Sequence, residues 1–318
     1  MRIDCISYLD PEVYGGGGEM ISRRLLDVGR ARGHEIRVSS ARPRRVALHE
    51  RPDVTLFIDV FNHAHSLRSL GAWRGFGAAF LESAMRRAPF VHLATAYADV
   101  CNLPYLPCSG NAAPKCPEKP LPFIRQLALR DSTDRCFATR PLVRRLHEEA
   151  ALNVFLSPLH KRTCEQVLAM RLESSLILKP MIDKASFHNE GRTRDIEFLF
   201  VGVISEAKGL EEMRKRFGGT DIHLIGRIHP GTTLDFGKHI APVPYEEIPR
   251  WMNRSRNFVF VPRWPEPQGR VVAEAALCGC KVIANDNVGA LSFNFDLSDP
   301  KQYGGAEDSF WQSVEAIS

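Results

Sequence analysis

Short, nearly uninterrupted apolar runs recur along the chain, separated by stretches long enough for a helix. Ile3 to Tyr8, Asp53 to Val60 (DVTLFIDV), Pro89 to Ala94, Ile196 to Val203 (IEFLFVGV), Ile222 to Ile225, Asn257 to Val261 and Lys281 to Ala284 are of this kind. A strand with one face in water alternates apolar and polar residues, whereas a run that is apolar throughout belongs in a parallel sheet covered on both faces. The expectation is an α/β chain built from βα units. Its 318 residues, 44% of them hydrophobic, provide for two ordinary cores rather than one oversized core.

The punctuation between the runs divides the chain. Between Glu19 and Arg32, Ile21, Leu25, Leu26 and Val28 fall at helical spacing, and Gly33 supplies a C-terminal stop. A strand over Glu35 to Ser39 follows, and further on come a strand over Val154 to Pro158 and a helix over His160 to Met170. Lys179-Pro180 reads as a hinge, because a second βα series starts at Ile196. The domains are therefore placed at 1–178 and 179–318. The first contains an irregular excursion, rich in Pro, Cys and Gly, over about 97–136.

Charge and cysteine content narrow the function classes. Lys plus Arg is 42 against 37 for Asp plus Glu, and this net +5 is too small to impose nucleic-acid binding but suits an anionic ligand. The excess is concentrated: nine arginines (23, 24, 30, 32, 37, 42, 44, 45 and 51) stand against Asp27, Glu35 and Glu50, a stretch that could face phosphate groups or form a solvated surface. No window approaches the roughly twenty apolar residues of a membrane span and no signal-peptide core is present, so the cytoplasm is the expected location. In that reducing setting the eight cysteines read as packing residues or metal ligands. Cys101, Cys108, Cys116 and Cys136 could staple the excursion with a structural zinc; buried or free thiols are the other reading.

The most informative segment is Phe258 to Gly289, FVFVPRWPEPQGRVVAEAALCGCKVIANDNVG, whose grammar is strand, proline-rich turn, glycine, helix, strand. Gly269 has no Cβ to block a ligand, and the helix after it offers its first N–H groups, from Arg270 and Val271, to an anion. Glu274 follows Arg270 by four residues on the same helix face, about 6 Å along the axis at 1.5 Å per residue. That step matches the distance from a diphosphate to its ribose, whose hydroxyls a carboxylate accepts. Glu266, in the turn before the helix, could reach a sugar on the far side of the phosphates.

In this setting Glu266 to Glu274, inside EPQGRVVAEAALCGC, resembles the Glu-x7-Glu motif of family 4 glycosyltransferases. FVGVISEAKG (Phe200 to Gly209) resembles the strand-end loop that in this family presents an arginine and a lysine to the donor diphosphate. Lys208 fits the lysine. Val203 stands where the arginine is usual, leaving Arg227, Arg263 or Arg270 to supply the second cation. HLIGRIHPG and VPYEEIPRWMNRSRNFVFVP are weaker matches to the nucleotide-contacting loop and the preceding helix. The resemblance implies a GT-B fold, two Rossmann-like domains with parallel sheets facing across a cleft. It further implies a retaining, metal-independent sugar transferase, and the chain contains no Asp-x-Asp pair to hold a metal.

For the first domain the resemblance assigns Gly16, Gly17 and Gly18 to a glycine loop that closes over the donor phosphates. A dinucleotide fingerprint starting at Gly16 would need glycine where Ile21 stands, which argues against an NAD-dependent oxidoreductase. His92 is the candidate for the histidine at a first-domain strand end, with Thr95 as its alternative. Asn62, His63 and His65 also follow a strand, where parallel sheets place ligands. With Lys208 and Glu266, His92 completes the expected catalytic group. Donor contacts are expected from Gly16 to Gly18, Val203, Lys208, Arg227, Gly269, Arg270, Val271 and Glu274. The donor is a UDP, GDP or ADP sugar. The acceptor is a glycan or a lipid-linked glycan, placing the enzyme at the inner membrane face. The alternatives are transfer to a modified nucleic-acid base and a non-catalytic nucleotide-sugar-binding relative.

Overall fold

A computed structural model describes residues 1–61, 76–101, 106 and 137–317. The chain divides into two units: residues 1–156, 161–178 and 305–318 form the first, and 157–160 with 179–304 the second.

In the first unit the chain runs β1 (Arg2–Leu9), α1 (Gly17–Ala31), β2 (Glu35–Arg42), β3 (Val54–Ile58), α2 (Ala78–Met85), β4 (Phe90–Leu93), α3 (Pro141–Glu148), β5 (Leu152–Phe155), α4 (Pro158–Leu168) and β6 (Ser175–Ile177), where α4 starts in residues grouped with the second unit. The six strands are all parallel, in the order β2-β1-β3-β4-β5-β6. Every residue of β3 and β4 is buried, as their unbroken apolar runs require. Helix α1 buries Ile21, Leu25 and Leu26, and its expected stop is present: Gly33 takes φ +88°, a left-handed conformation suited to glycine.

The second unit continues with β7 (Ile196–Val201), α5 (Leu210–Phe217), β8 (Ile222–Ile225), β9 (Lys238–Ile240), α6 (Ile248–Arg254), β10 (Ser255–Phe260), α7 (Arg270–Leu277) and β11 (Lys281–Ala284). Its five strands are also parallel, in the order β11-β10-β7-β8-β9. In each sheet the winding direction reverses once, between β1 and β3 in the first and between β7 and β10 in the second. Doubly wound sheets bind ligands outside the carboxyl ends of strands at this reversal, because crossovers leave in opposite directions there and open a crevice.

The last helix, α8 (Ala306–Glu315), returns to the first unit, although a second domain running to residue 318 was expected. The physical reason is Trp311. It is fully buried, its Nε1 donates to Leu25 O at 2.9 Å, and a Cβ on Gly29 would lie 2.1 Å from its ring. Arg32 pairs with Asp308 and Glu315, and Arg24 with Glu307. We expect Trp311→Ala to cost about 3–5 kcal/mol, since the cavity over Gly29 has no side chain to refill it. Glu307→Gln, at an exposed pair, should cost under about 1 kcal/mol. Urea titration of the two variants checks the contrast.

Candidate functional site

The second unit's site starts from two loops leaving adjacent strands. After β7, residues 202–209 turn back at Gly209, whose φ of +88° suits glycine and whose Cβ would lie 2.0 Å from Val261 O. Arg263 N donates to Ala207 O at 3.0 Å, so the loop after β7 and the loop after β10 run backbone against backbone. This contact sets Lys208 beside Glu266: Nζ lies 2.5 Å from Oε2, with both side chains largely buried. The ammonium also lies 5.5 Å from the Phe260 ring centre and 5.2 Å from that of Trp264. Two aromatic faces and one carboxylate thus hold a cation at the strand ends.

Gly269 precedes α7 in the left-handed region, with φ +67°, and a Cβ there would lie 2.7 Å from Val288 Cγ1. Arg270 and Val271 open the helix, where N–H groups and the helix dipole favour negative charge. One turn on, Glu274 is only 2% exposed. Its Oε1 accepts from Tyr245 OH at 2.6 Å and pairs with Arg270 Nε at 2.8 Å. Burial pushes the Glu274 carboxyl above the usual carboxylate range, against the opposing pull of Arg270 and the Tyr245 hydroxyl. Tyr245 lies in VPYEEIPRW, a segment matched by motif but not singled out by residue. A tyrosine 29 positions before its carboxylate leaves no spacing signal.

Of the other expected donor residues, Val203 is half-buried on the loop after β7, and Arg227 is exposed after β8. The bridge between Ile204 and Ile228 and the bond from Ile204 N to Arg227 O, 2.9 Å, tie their backbones together. Arg263 is exposed.

At the other reversal, in the first unit, Gly17 and Gly18 form the first turn of α1 and Gly16 caps it. A Cβ on Gly18 would lie 2.3 Å from Thr95 Oγ1. This close approach brings α1 to a cavity of about 150 Å³ outside β1 and β3, bordered by Tyr8, Glu19, Ile58, Asp59, Phe61 and Thr95. Asp59 has φ +42°, a conformation uncommon outside glycine, and its carboxylate accepts from Thr95 N at 3.1 Å, Ala96 N at 3.3 Å and the Thr95 hydroxyl.

His92 is enclosed rather than presented. It is fully buried, with Nε2 2.9 Å from Asp99 Oδ2 and Nδ1 3.2 Å from Asn153 Oδ1, and its ring meets His147 edge-on at 4.5 Å. Burial pushes the His147 imidazole down to about 3. Thr95, not His92, borders the cavity. Sequence reasoning missed Asp59: it ends an apolar run and has no spacing to a partner.

The arginine-rich stretch is largely paired within the fold. Arg30 meets Glu12 and Asp27, Arg45 meets Asp10 and Glu12, Arg37 meets Glu35, and Arg24 and Arg32 hold α8. Cys101 is buried. Cys108, Cys116 and Cys136, like Asn62, His63 and His65, lie outside the described residues. Among the described residues no group of three or more His, Cys, Asp or Glu is arranged to hold a metal, and no helix is long and apolar enough to cross a membrane.

With this geometry the chain can be set beside known proteins. No protein-family model matches it, and no curated protein matches it by sequence. Solved structures do. Anabaena HepE in complex with UDP aligns with a TM-score of 0.55 at 15% identity, over 92% of this chain and 82% of HepE. An alpha-glucosyltransferase in complex with UDP and a 13-mer DNA aligns at 0.51 and 13%, over 100% and 90%. A glycosyltransferase from Rickettsia africae aligns at 0.51 and 11%, over 99% and 93%. The fold is GT-B. It comprises two Rossmann-like α/β domains with parallel sheets of six and five strands.

Asp59 gives the first unit a pH signature. Burial and the nearby Asp99 raise its carboxyl to about 7, while the Thr95 hydrogen bonds and His92 pull the other way. In the unfolded chain the group titrates near its ordinary 3.8. Between these values the unfolded state has lost the proton that the native state keeps, so stability falls as pH rises through this window and levels off above about 7. Asp59→Asn carries no charge at any pH. We expect its Tm relative to wild type to be higher at pH 8 than at pH 5. Parallel thermal melts check this, and an unchanged difference would show that Asp59 titrates normally.

Proposed function

We propose that this protein is a retaining glycosyltransferase of the family 4 kind. It transfers a sugar from a nucleoside-diphosphate donor, of UDP type, to a glycan or lipid-linked glycan without a metal, working at the inner membrane face. The observation that carries the reading is the convergence of Lys208, the helix start after Gly269 and the buried Glu274 at the strand ends where the second sheet reverses. The solved structures of this fold that hold UDP favour a uridine donor.

The residues divide the work. Lys208 and the first turn of α7, with Arg227 or Arg263 supplying the second cation in place of Val203, neutralise the charge that develops on the departing diphosphate. Glu274, already held by Arg270 and Tyr245, accepts from the ribose hydroxyls. Glu266 leaves Lys208 when the diphosphate arrives and turns to the sugar hydroxyls. The family resemblance assigns the glycine loop Gly16–Gly18 to the donor as well. In the retaining mechanism the donor phosphate takes the acceptor proton as the old glycosidic bond breaks and the new one forms on the same face of the sugar.

A thermal-shift panel of UDP, GDP and ADP sugars tests the reading. UDP sugars should raise the Tm, Glu274→Ala should remove most of the shift, and Lys208→Ala should weaken binding about tenfold or more, the loss of one charge-assisted contact. No stabilisation by any nucleotide sugar would sink the proposal. Stabilisation without nucleotide release in the presence of any acceptor would mark a binding relative that lacks turnover. A DNA acceptor is the second reading, favoured by the exposed Arg23, Arg44 and Arg51. Sugar transfer to a modified base would establish it, whereas DNA binding that vanishes at moderate salt would mark nonspecific phosphate contact.

A further inference from the structure

The first unit buries a connected row of polar side chains beside the end of β3. His92 and Asn153 are register partners on the adjacent parallel strands β4 and β5, so their side chains leave the sheet on the same face, and both are buried. His92 Nδ1 lies 3.2 Å from Asn153 Oδ1, and Nε2 lies 2.9 Å from Asp99 Oδ2. Asp99 is buried too, and it also takes two backbone bonds: Oδ1 accepts from Phe61 N at 3.0 Å and Oδ2 from Val60 N at 3.3 Å.

Hydrogen-bond direction fixes the protons in this row. Asn153 Nδ2 donates to His147 O at 2.9 Å. Turning the amide over would set its oxygen against that carbonyl, acceptor against acceptor, so Oδ1 is the atom that faces His92. An amide oxygen only accepts, which requires a hydrogen on Nδ1. On the other side of the ring, Asp99 accepts from two backbone N–H groups, an arrangement that favours the ionised carboxylate. Burial pushes the Asp99 carboxyl up, but the hydrogen bonds from His92 and Phe61 N outweigh it and hold the group below its usual range. An ionised carboxylate also only accepts, so Nε2 carries a hydrogen as well.

We infer that His92 is a positioning residue, a buried imidazolium that acts through ionised Asp99 to clamp the backbone of Val60 and Phe61 where the chain leaves β3. A neutral ring would set one bare nitrogen against an acceptor and lose one of the two bonds. The titratable neighbours leave the charge on His92. His147, edge-on at 4.5 Å, donates from Nδ1 to Val143 O at 2.8 Å, and burial with the nearby His92 pushes its imidazole down to about 3, so it is neutral. Burial, with Asp99 and Asp59, pushes the Cys164 thiol well above its usual range, so it is neutral too. Burial and Asp99 raise the Asp59 carboxyl to about 7, and its ionisation above that adds a second negative charge that favours the imidazolium. Phe61 borders the cavity outside β1 and β3, so the clamp fixes one wall of it. The role goes beyond the transferase reading and does not rest on it.

The test reads the histidine ring nitrogens of the full chain by NMR at pH 8, where an ordinary histidine is neutral. The His92 ring is assigned by its loss in His92→Gln. It should show two ring N–H protons with both nitrogens in the protonated range; one bare nitrogen overturns the imidazolium. His92→Gln keeps a donor for Asp99 but no charge. It should speed hydrogen exchange at the Val60 and Phe61 amides about tenfold, the loss of one charge-assisted bond, and leave Cys5 and Ile6 of β1 unchanged. Uniform acceleration of both strands, or none, overturns the clamp. Should His92→Gln not fold, the ring is assigned from backbone correlations along β4 and the wild type decides alone. A coupling across the hydrogen bond from Phe61 N to the Asp99 carboxyl carbon is then expected, and its absence overturns the clamp.

Discussion

The second unit's site depends on a backbone contact before it depends on any charge. Gly209 turns beneath Val261 O at a distance that no Cβ could share, and Arg263 N reaches across to Ala207 O. Two loops that are more than fifty residues apart in sequence thereby become one surface at the ends of β7 and β10. Lys208 is positioned by that surface: it rises between Phe260 and Trp264 and meets Glu266, so its long stem has little conformational freedom left to lose when an anion arrives. A larger residue at 209 would separate the loops, and the ammonium would then be an ordinary mobile surface charge.

Glu274 faces a different problem, because a carboxylate buried inside a helix is costly unless it is paired and hydrogen-bonded. Arg270 and Tyr245 meet that requirement from the same helix and from the turn before α6. Both contacts fall on Oε1 and hold the buried carboxylate in one orientation, and such preorganisation is what a site needs if binding is not to include the ordering of its own side chains. Arg270 is consequently committed to Glu274. On the proposed reading, the cation that the family places where Val203 stands falls to Arg227 or Arg263, both exposed.

Much of the fold was legible because buried parallel strands leave an unmistakable trace. DVTLFIDV and IEFLFVGV admit few other structures, and Lys281 to Ala284 forms a strand with the expected bounds. Strands β6 and β9 were not legible: each has three residues on a sheet edge, too few to establish a period. Helix α8 escaped because its partner surface, Gly29 and Leu25, is nearly three hundred residues away. Within the candidate site, Gly269, Arg270 and Glu274 could be read because a helix converts spacing into direction. Lys208 and Glu266 were singled out by a resemblance or by position in the turn, and nothing in the sequence indicated that the two side chains pair. Tyr245 and Asp59 could not be read, since each acts through a partner that only the tertiary structure supplies.

The arginine-rich stretch shows the same limit from the other side. Its charge density suggests a phosphate surface, yet most of those guanidinium groups meet Asp or Glu side chains brought in by α8, by Glu12 and Asp10 and by neighbouring strand residues. Formal net charge is therefore a poor guide to where this molecule attracts anions. The local arrangement at the two strand reversals is a better one: a lysine framed by aromatic rings and a helix start at the second, and two carboxylates against an apolar wall at the first.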